Sequence, residues 1–233
     1  MRGSRALCSL LLGAALAGCV PGKRAVPTIR PLPGPAPSPE TLLRKLEERS
    51  AALRTFRALA ELDYSGPKGK AHVREIVLVQ RPDHLRIEMM SVFGVALQVT
   101  SDGREIHAYH RGEKTFYRGK ATVENLARFT RLDLDLREIA DLLVGLPPGR
   151  RRLTGTAISP DEASRSWQVS GRLPDGGELR IWFGADDLLP ARAERYGDDG
   201  NQVYSALYSG YIEAAGVAIP QQIEFEAPAE QAK

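Results

Sequence analysis

The side chains able to do chemistry in this chain are few and poorly assembled. Its four histidines are His72, His84, His107 and His110. His107 and His110 lie three apart in a segment that reads as a strand, where they point to opposite faces and do not chelate one metal. His72 and His84 stand alone. Asp186-Asp187 and Asp198-Asp199 fall in turn contexts, where aspartate is favoured for backbone reasons. Asp133 and Asp135 flank a helix start, and Asp135 is taken up as its cap. There is no glycine-rich phosphate loop and no serine-nucleophile elbow. The sequence therefore points to no enzyme, no catalytic residue, no metal and no cofactor.

Cysteine is more informative. The chain has two, Cys8 and Cys19. Arg2 and Arg5 open a basic start, an apolar run follows from Ala6 to Leu16, and small residues close it, which is the layout of a secretory signal peptide. The run is far short of the ~20 residues of a membrane-spanning helix. Leu16-Ala17-Gly18-Cys19 resembles the lipobox of bacterial lipoproteins at all four positions. That resemblance implies cleavage after Gly18 and diacylation of the Cys19 thiol. Cys8 leaves with the signal peptide, so the mature chain keeps no free thiol to oxidise outside the cytosol.

Charge narrows the partners. The chain carries 32 Lys and Arg against 29 Asp and Glu. Arg2, Arg5, Lys23, Arg24 and Arg30 all precede Ser38, which leaves the rest slightly acidic, at 27 against 29. Nucleic-acid binding has no electrostatic support. Three cations beside a lipidated cysteine instead favour anionic headgroups weakly.

Four segments follow: a signal peptide (1–18), the lipidated cysteine with a proline-rich linker (19–38), a single domain (39–228) and a short tail (229–233). Pro21, Pro27, Pro31, Pro33, Pro35 and Pro37 make the linker an extended spacer. Ser38 is a good N-cap and Pro39 a good first helical residue. Leu42, Leu46, Leu53 and Phe56 fall within about 80° on a helical wheel, so the first helix is expected to run to Phe56.

Strands are expected over residues 71–80, and alternation marks several others. Leu85, Ile87 and Met89 share one face, as do Val95, Leu97 and Val99, and later Leu179, Ile181 and Phe183. Ser101-Asp102-Gly103 and Arg111-Gly112 supply turns. Thr122 caps a short helix carrying Val123 and Leu126. Asp135 with Glu138 forms a capping box for another, with Leu136, Ile139, Leu142 and Leu143 inward and Gly145 as its stop. Helix, meander, two helices, meander is an α+β architecture with an antiparallel sheet.

On these segments the chain resembles the LolA/LolB superfamily of lipoprotein carriers and receptors. The resemblance rests on Arg81-Pro82-Asp83-His84-Leu85-Arg86-Ile87, on Gly94, on Tyr117 with Gly119, and on Leu142-Leu143-Val144-Gly145. It continues through Leu179-Arg180-Ile181-Trp182, Leu188-Leu189-Pro190-Ala191-Arg192, the Asp199-Gly200 turn and Ile219-Pro220-Gln221-Gln222-Ile223. It spans most of residues 40–226. It implies a curved antiparallel half-barrel whose apolar concave face is covered by helices. The lipobox makes the chain LolB-like, and Val20 in place of an aspartate after the cysteine implies the outer membrane, with the domain facing the periplasm.

The implied function is to bind acyl chains of other lipoproteins, or lipids, and to help localise or insert them. A LolA-like periplasmic carrier would supply the cargo, and the chain would act as a monomer. The superfamily also includes periplasmic sensors of envelope stress, so an assembly or stress role with a lipid or protein partner stays open. The acyl-cavity candidates are Leu85, Ile87, Met89, Val95, Leu97, Val99, Ile181 and Phe183, which equally suit a dry core. Between strands, Met89-Met90-Ser91-Val92-Phe93-Gly94 holds one polar side chain where turns are usually polar. The resemblance makes Val92 and Phe93 a membrane-inserting tip. Their composition also allows folding back into the core.

Overall fold

In the computed structural model, residues 32–66 and 69–227 are described. The expected signal peptide, Cys19, the linker to residue 31 and the tail 229–233 lie outside them. The first helix, α1, is Pro39–Ala52, with the Ser38 side chain accepting from the Thr41 amide as its cap. It ends earlier than expected. Leu53 caps it, and Phe56 belongs to the first strand, β1 (Thr55–Gly66). That strand escapes the sequence pattern because two of its inward positions are only Ala58 and Ala60.

The chain then builds an antiparallel meander of β1, β2 (Gly69–Gln80), β3 (His84–Ser91), β4 (Gly94–Ser101), β5 (Glu105–His110) and β6 (Thr115–Lys120), paired in that order. Two helices follow, α2 (Val123–Thr130) and α3 (Leu136–Leu143), capped by Thr122 and by the Asp135–Glu138 box. After a 3-10 turn, Arg150–Arg152, a second six-stranded meander runs in sequence order from β7 (Thr154–Asp161) to β12 (Val217–Glu226). Its middle strands are β8 (Ser166–Arg172), β9 (Glu178–Gly184), β10 (Pro190–Tyr196) and β11 (Gln202–Ala214). Pro220 sits on β12, an edge strand, where the missing amide donor does least harm.

Both sheets are unclosed, and the α+β fold is thus two curved antiparallel meanders lined by helices. α1 packs on β7, α2 on β5 and α3 on β3. One apolar cluster joins Leu42 and Leu46 of α1 and Ile139 and Leu142 of α3 to inward residues of both sheets. Every described strand pairing and every buried core residue falls between Leu42 and Glu226, and Leu32 packs against this core from outside that range. Among the described residues no helix is long and apolar enough to cross a membrane.

Candidate functional site

Period-two alternation sends Val77 and Val79 of β2, Leu85 and Ile87 of β3, Val99 of β4, and Ile106 and Ala108 of β5 to the concave side of the first sheet, where all are buried. Ile181 and Phe183 do the same on β9. Five of the eight acyl-cavity candidates, Leu85, Ile87, Val99, Ile181 and Phe183, therefore sit in the packed cluster under the helices. The other three, Met89, Val95 and Leu97, are only half-buried, toward the opposite end of the same strands. Leu62 and Val73 extend this half-open apolar stretch onto β1 and β2, paired with each other in register. The concave face is thus closed at one end and partly open at the other. A cleft of about 430 Å³ at the closed end of β1–β3 touches only Leu85 among the candidates.

At the half-open end β3 and β4 join through a two-residue turn, Val92-Phe93. Ser91 and Gly94 pair across it, and Gly94 has a φ of +97°, a conformation glycine adopts without strain. The Ser91 hydroxyl donates to the Gly94 carbonyl at 2.9 Å and accepts from the Phe93 amide at 3.2 Å. Arg111, from the β5–β6 turn, donates to the Phe93 carbonyl at 2.7 Å. The turn's backbone is well held while its side chains project: Val92 is 92% exposed and Phe93 82%. The structure leaves both in solvent rather than folded back.

At the closed end, charged groups tie the helices to the sheet. Asp141 of α3 is pinned between Arg81, from the β2–β3 turn, and Arg150, all three side chains being almost fully buried. Arg81 also donates to the Ser50 carbonyl at the end of α1 at 2.9 Å, and Arg150 and Arg151 donate to the Ser50 hydroxyl at 3.1 and 2.9 Å. Glu47 of α1 adds an ion pair to Arg150 at 3.3 Å. Nearby, Arg49 donates to the carbonyls of Gly145 at 3.1 Å and Ala218 at 2.7 Å, joining α1 to the end of α3 and to β12. Gly145 has φ +71°, and Pro220 packs so close that a Cβ would lie 2.3 Å from its ring. Burial lowers the pKa of Arg49 and of Arg81, and the charge of Asp141 opposes this for Arg81. Together these contacts fasten α1 and α3 over the concave face.

No protein-family model matches the sequence, and no curated protein matches it. Solved structures do match the fold. A DUF1329 family protein from Desulfovibrio piger is similar with a TM-score of 0.57 at 15% identity, over 81% of this chain and 84% of that one. A LolA superfamily protein from Nitrosomonas europaea is similar with a TM-score of 0.55 at 13% identity, over 84% of this chain and 88% of that one. The fold is similar to that of a LolA superfamily protein.

Two groups in this LolA-like fold went unread in the sequence. The arginine cluster has partners far apart along the chain, 60 residues between Arg81 and Asp141, and no local pattern reveals it. Glu75 is different. It falls in the inward phase of β2 with Val73, Val77 and Val79, so alternation alone marks a carboxyl on the apolar side. It is 6% exposed, with Ala60 and Met89 as its cross-strand partners. Among the described residues it has no hydrogen bond or ion pair, and burial alone raises its pKa.

Proposed function

We propose that this chain is an exported lipoprotein, anchored by Cys19 in the outer membrane and facing the periplasm, that takes acyl chains of other lipoproteins or lipids onto its concave face and helps place them in the membrane. The observation that carries this is the Val92-Phe93 tip, a braced turn with two bare apolar side chains beside the half-open end of an apolar concavity. A Val and a Phe this exposed bury almost nothing in the fold, and at the tip of a braced hairpin they suit contact with a bilayer interface. The concavity matters because each buried methylene is worth ~0.8 kcal/mol, so one sixteen-carbon chain resists water by on the order of 12 kcal/mol. Such cargo needs an apolar container to cross an aqueous compartment.

Five of the cavity candidates are packed in the structure, so taking up a chain requires α1 and α3 to move off the sheet. The Arg81–Asp141–Arg150 cluster is the fastening that such movement must break. A LolA-like carrier would hand over the cargo. Binding and transfer need no catalytic group.

The anchor has its own test. Palmitate label should enter the native protein and be absent from the Cys19→Ala variant, which should also escape processing at Gly18. Equal labelling of the two would remove the anchor. The cellular role is tested by depletion: other lipoproteins should then accumulate away from the outer membrane. Unchanged fractionation of all of them would favour a stress-sensing or assembly role instead.

A further inference from the structure

Among the described residues, the concave face carries a carboxyl that neither the packing nor the fastening uses. Glu75 sits on β2 at the border between the helix-covered half of the face and its half-open half. Ala60 and Met89 flank it in register, and Val73 and Val77 flank it along the strand. Ala60 leaves room on one side, since its side chain is a single methyl. Toward the Val92-Phe93 tip the next cross-strand pair is Leu62 and Val73, both within reach of solvent. His110, four strands across from Ala60 in the same cross-strand row, is the other titratable group on that row, and it contributes nothing to the Glu75 environment.

Glu75 is 6% exposed, and among the described residues no hydrogen bond or ion pair meets its carboxyl, whose oxygens are not sealed from solvent. A carboxyl so placed on an apolar face is partly desolvated, and such groups cluster at functional sites. Among the described residues, nothing stands where its counter-group should be. An apolar residue at this position would extend the row of valines and pack without cost, so the domain's own stability does not ask for glutamate. The group that would complete it is a donor brought by the ligand. The strongest match to a carboxylate in low-dielectric surroundings is a cation, because charge-assisted hydrogen bonds strengthen when water is excluded.

We infer that Glu75 is the headgroup-reading residue of the concave face, accepting hydrogen bonds from the ammonium of an acylated ligand whose chains lie along Met89, Leu97 and the core beyond. This rests on the acyl-carrying reading above. Two sources present the same chemistry: the free α-amine of a diacylated lipoprotein cysteine, and the amine of an ethanolamine phospholipid.

The test uses residues 19–233 with Cys19→Ala, as wild type otherwise and with Glu75→Gln or Glu75→Leu. Each is titrated with a diacylated lipopeptide bearing a free amine, with its N-acetylated form, and with phosphatidylethanolamine and its N-acetylated form. The Glu75 protein should prefer free-amine ligands by about tenfold, the size of one charge-assisted hydrogen bond. Both variants should bind the amine and acetyl forms alike, with affinity for the acetyl forms kept. Preference in one lipid series alone names that source, and preference in both assigns the ammonium generally. Equal binding of amine and acetyl forms by the Glu75 protein, or preference surviving in Glu75→Gln, overturns the inference while leaving the acyl reading intact. Absence of binding to all four ligands instead removes the acyl reading itself. A thermal melt completes the test. The variants should melt at or above the Glu75 protein, and a lower melting temperature would show that Glu75 holds the fold together, against the inference.

Discussion

Replacing Asp141 with alanine should destabilise the domain by about 3–5 kcal/mol, because it strands two buried arginines without their shared counter-charge. Arg81 and Arg150 both contact that carboxylate, and the side chains of all three are almost sealed from water. Arg151 is too exposed and, at 3.9 Å, too distant to be comparably affected. Chemical denaturation of Asp141→Ala and of Asp141→Asn measures the effect, and the asparagine variant should fall between alanine and the native protein because it keeps a hydrogen-bond acceptor. The same change loosens the tie between α3, the end of α1 and the β2–β3 turn, so association of an acyl probe should become faster even as stability falls. A stability loss below about 1 kcal/mol would place the pair among surface ion pairs and deny it a fastening role.

Changing both Val92 and Phe93 to glutamate should leave the melting temperature and acyl binding unchanged while abolishing contact with liposomes. The two side chains bury almost nothing, so folding loses nothing when they become charged. Surface substitutions of this kind stay within about 0.5 kcal/mol. At a bilayer interface the same change replaces two apolar groups with two carboxylates facing anionic headgroups, and cargo insertion should drop by at least tenfold. A co-flotation assay with phosphatidylglycerol-containing liposomes reads this directly. A large drop in melting temperature, or undiminished flotation, would take the turn out of the mechanism.

What the sequence makes legible here is what is local. The alternation of Leu85, Ile87 and Met89, of Val95, Leu97 and Val99, and of Leu179, Ile181 and Phe183 gives strands and their inward faces directly, because side chains on a strand repeat every two residues. The Ser38, Thr122 and Asp135 caps mark helix starts because capping is settled within three residues. β1 hides behind alanines, and the apolar stripe of α1 continues by coincidence onto Phe56 across the cap at Leu53. The half-open end of the concave face is a property of where the helices stop, which no strand pattern contains. The long-range contacts are the least legible: Ser50 meets Arg150 across 100 residues. Composition singles out the Ser91–Gly94 turn as unusual but leaves its two placements open, and only the tight Ser91–Gly94 pairing with the Arg111 brace fixes the side chains outward.

Acyl-chain occupancy of the concave face is tested most directly by native mass spectrometry. Protein carrying Cys19→Ala, exported and purified without detergent, should show masses above that of the chain by the weight of a lipid or lipopeptide. The added mass should be displaced by a fluorescent acyl probe, whose emission rises on binding. A single unliganded mass, together with a probe that neither binds nor brightens, would mean that Leu85, Ile87, Val99, Ile181 and Phe183 form a permanently dry core and that the protein carries no acyl chain.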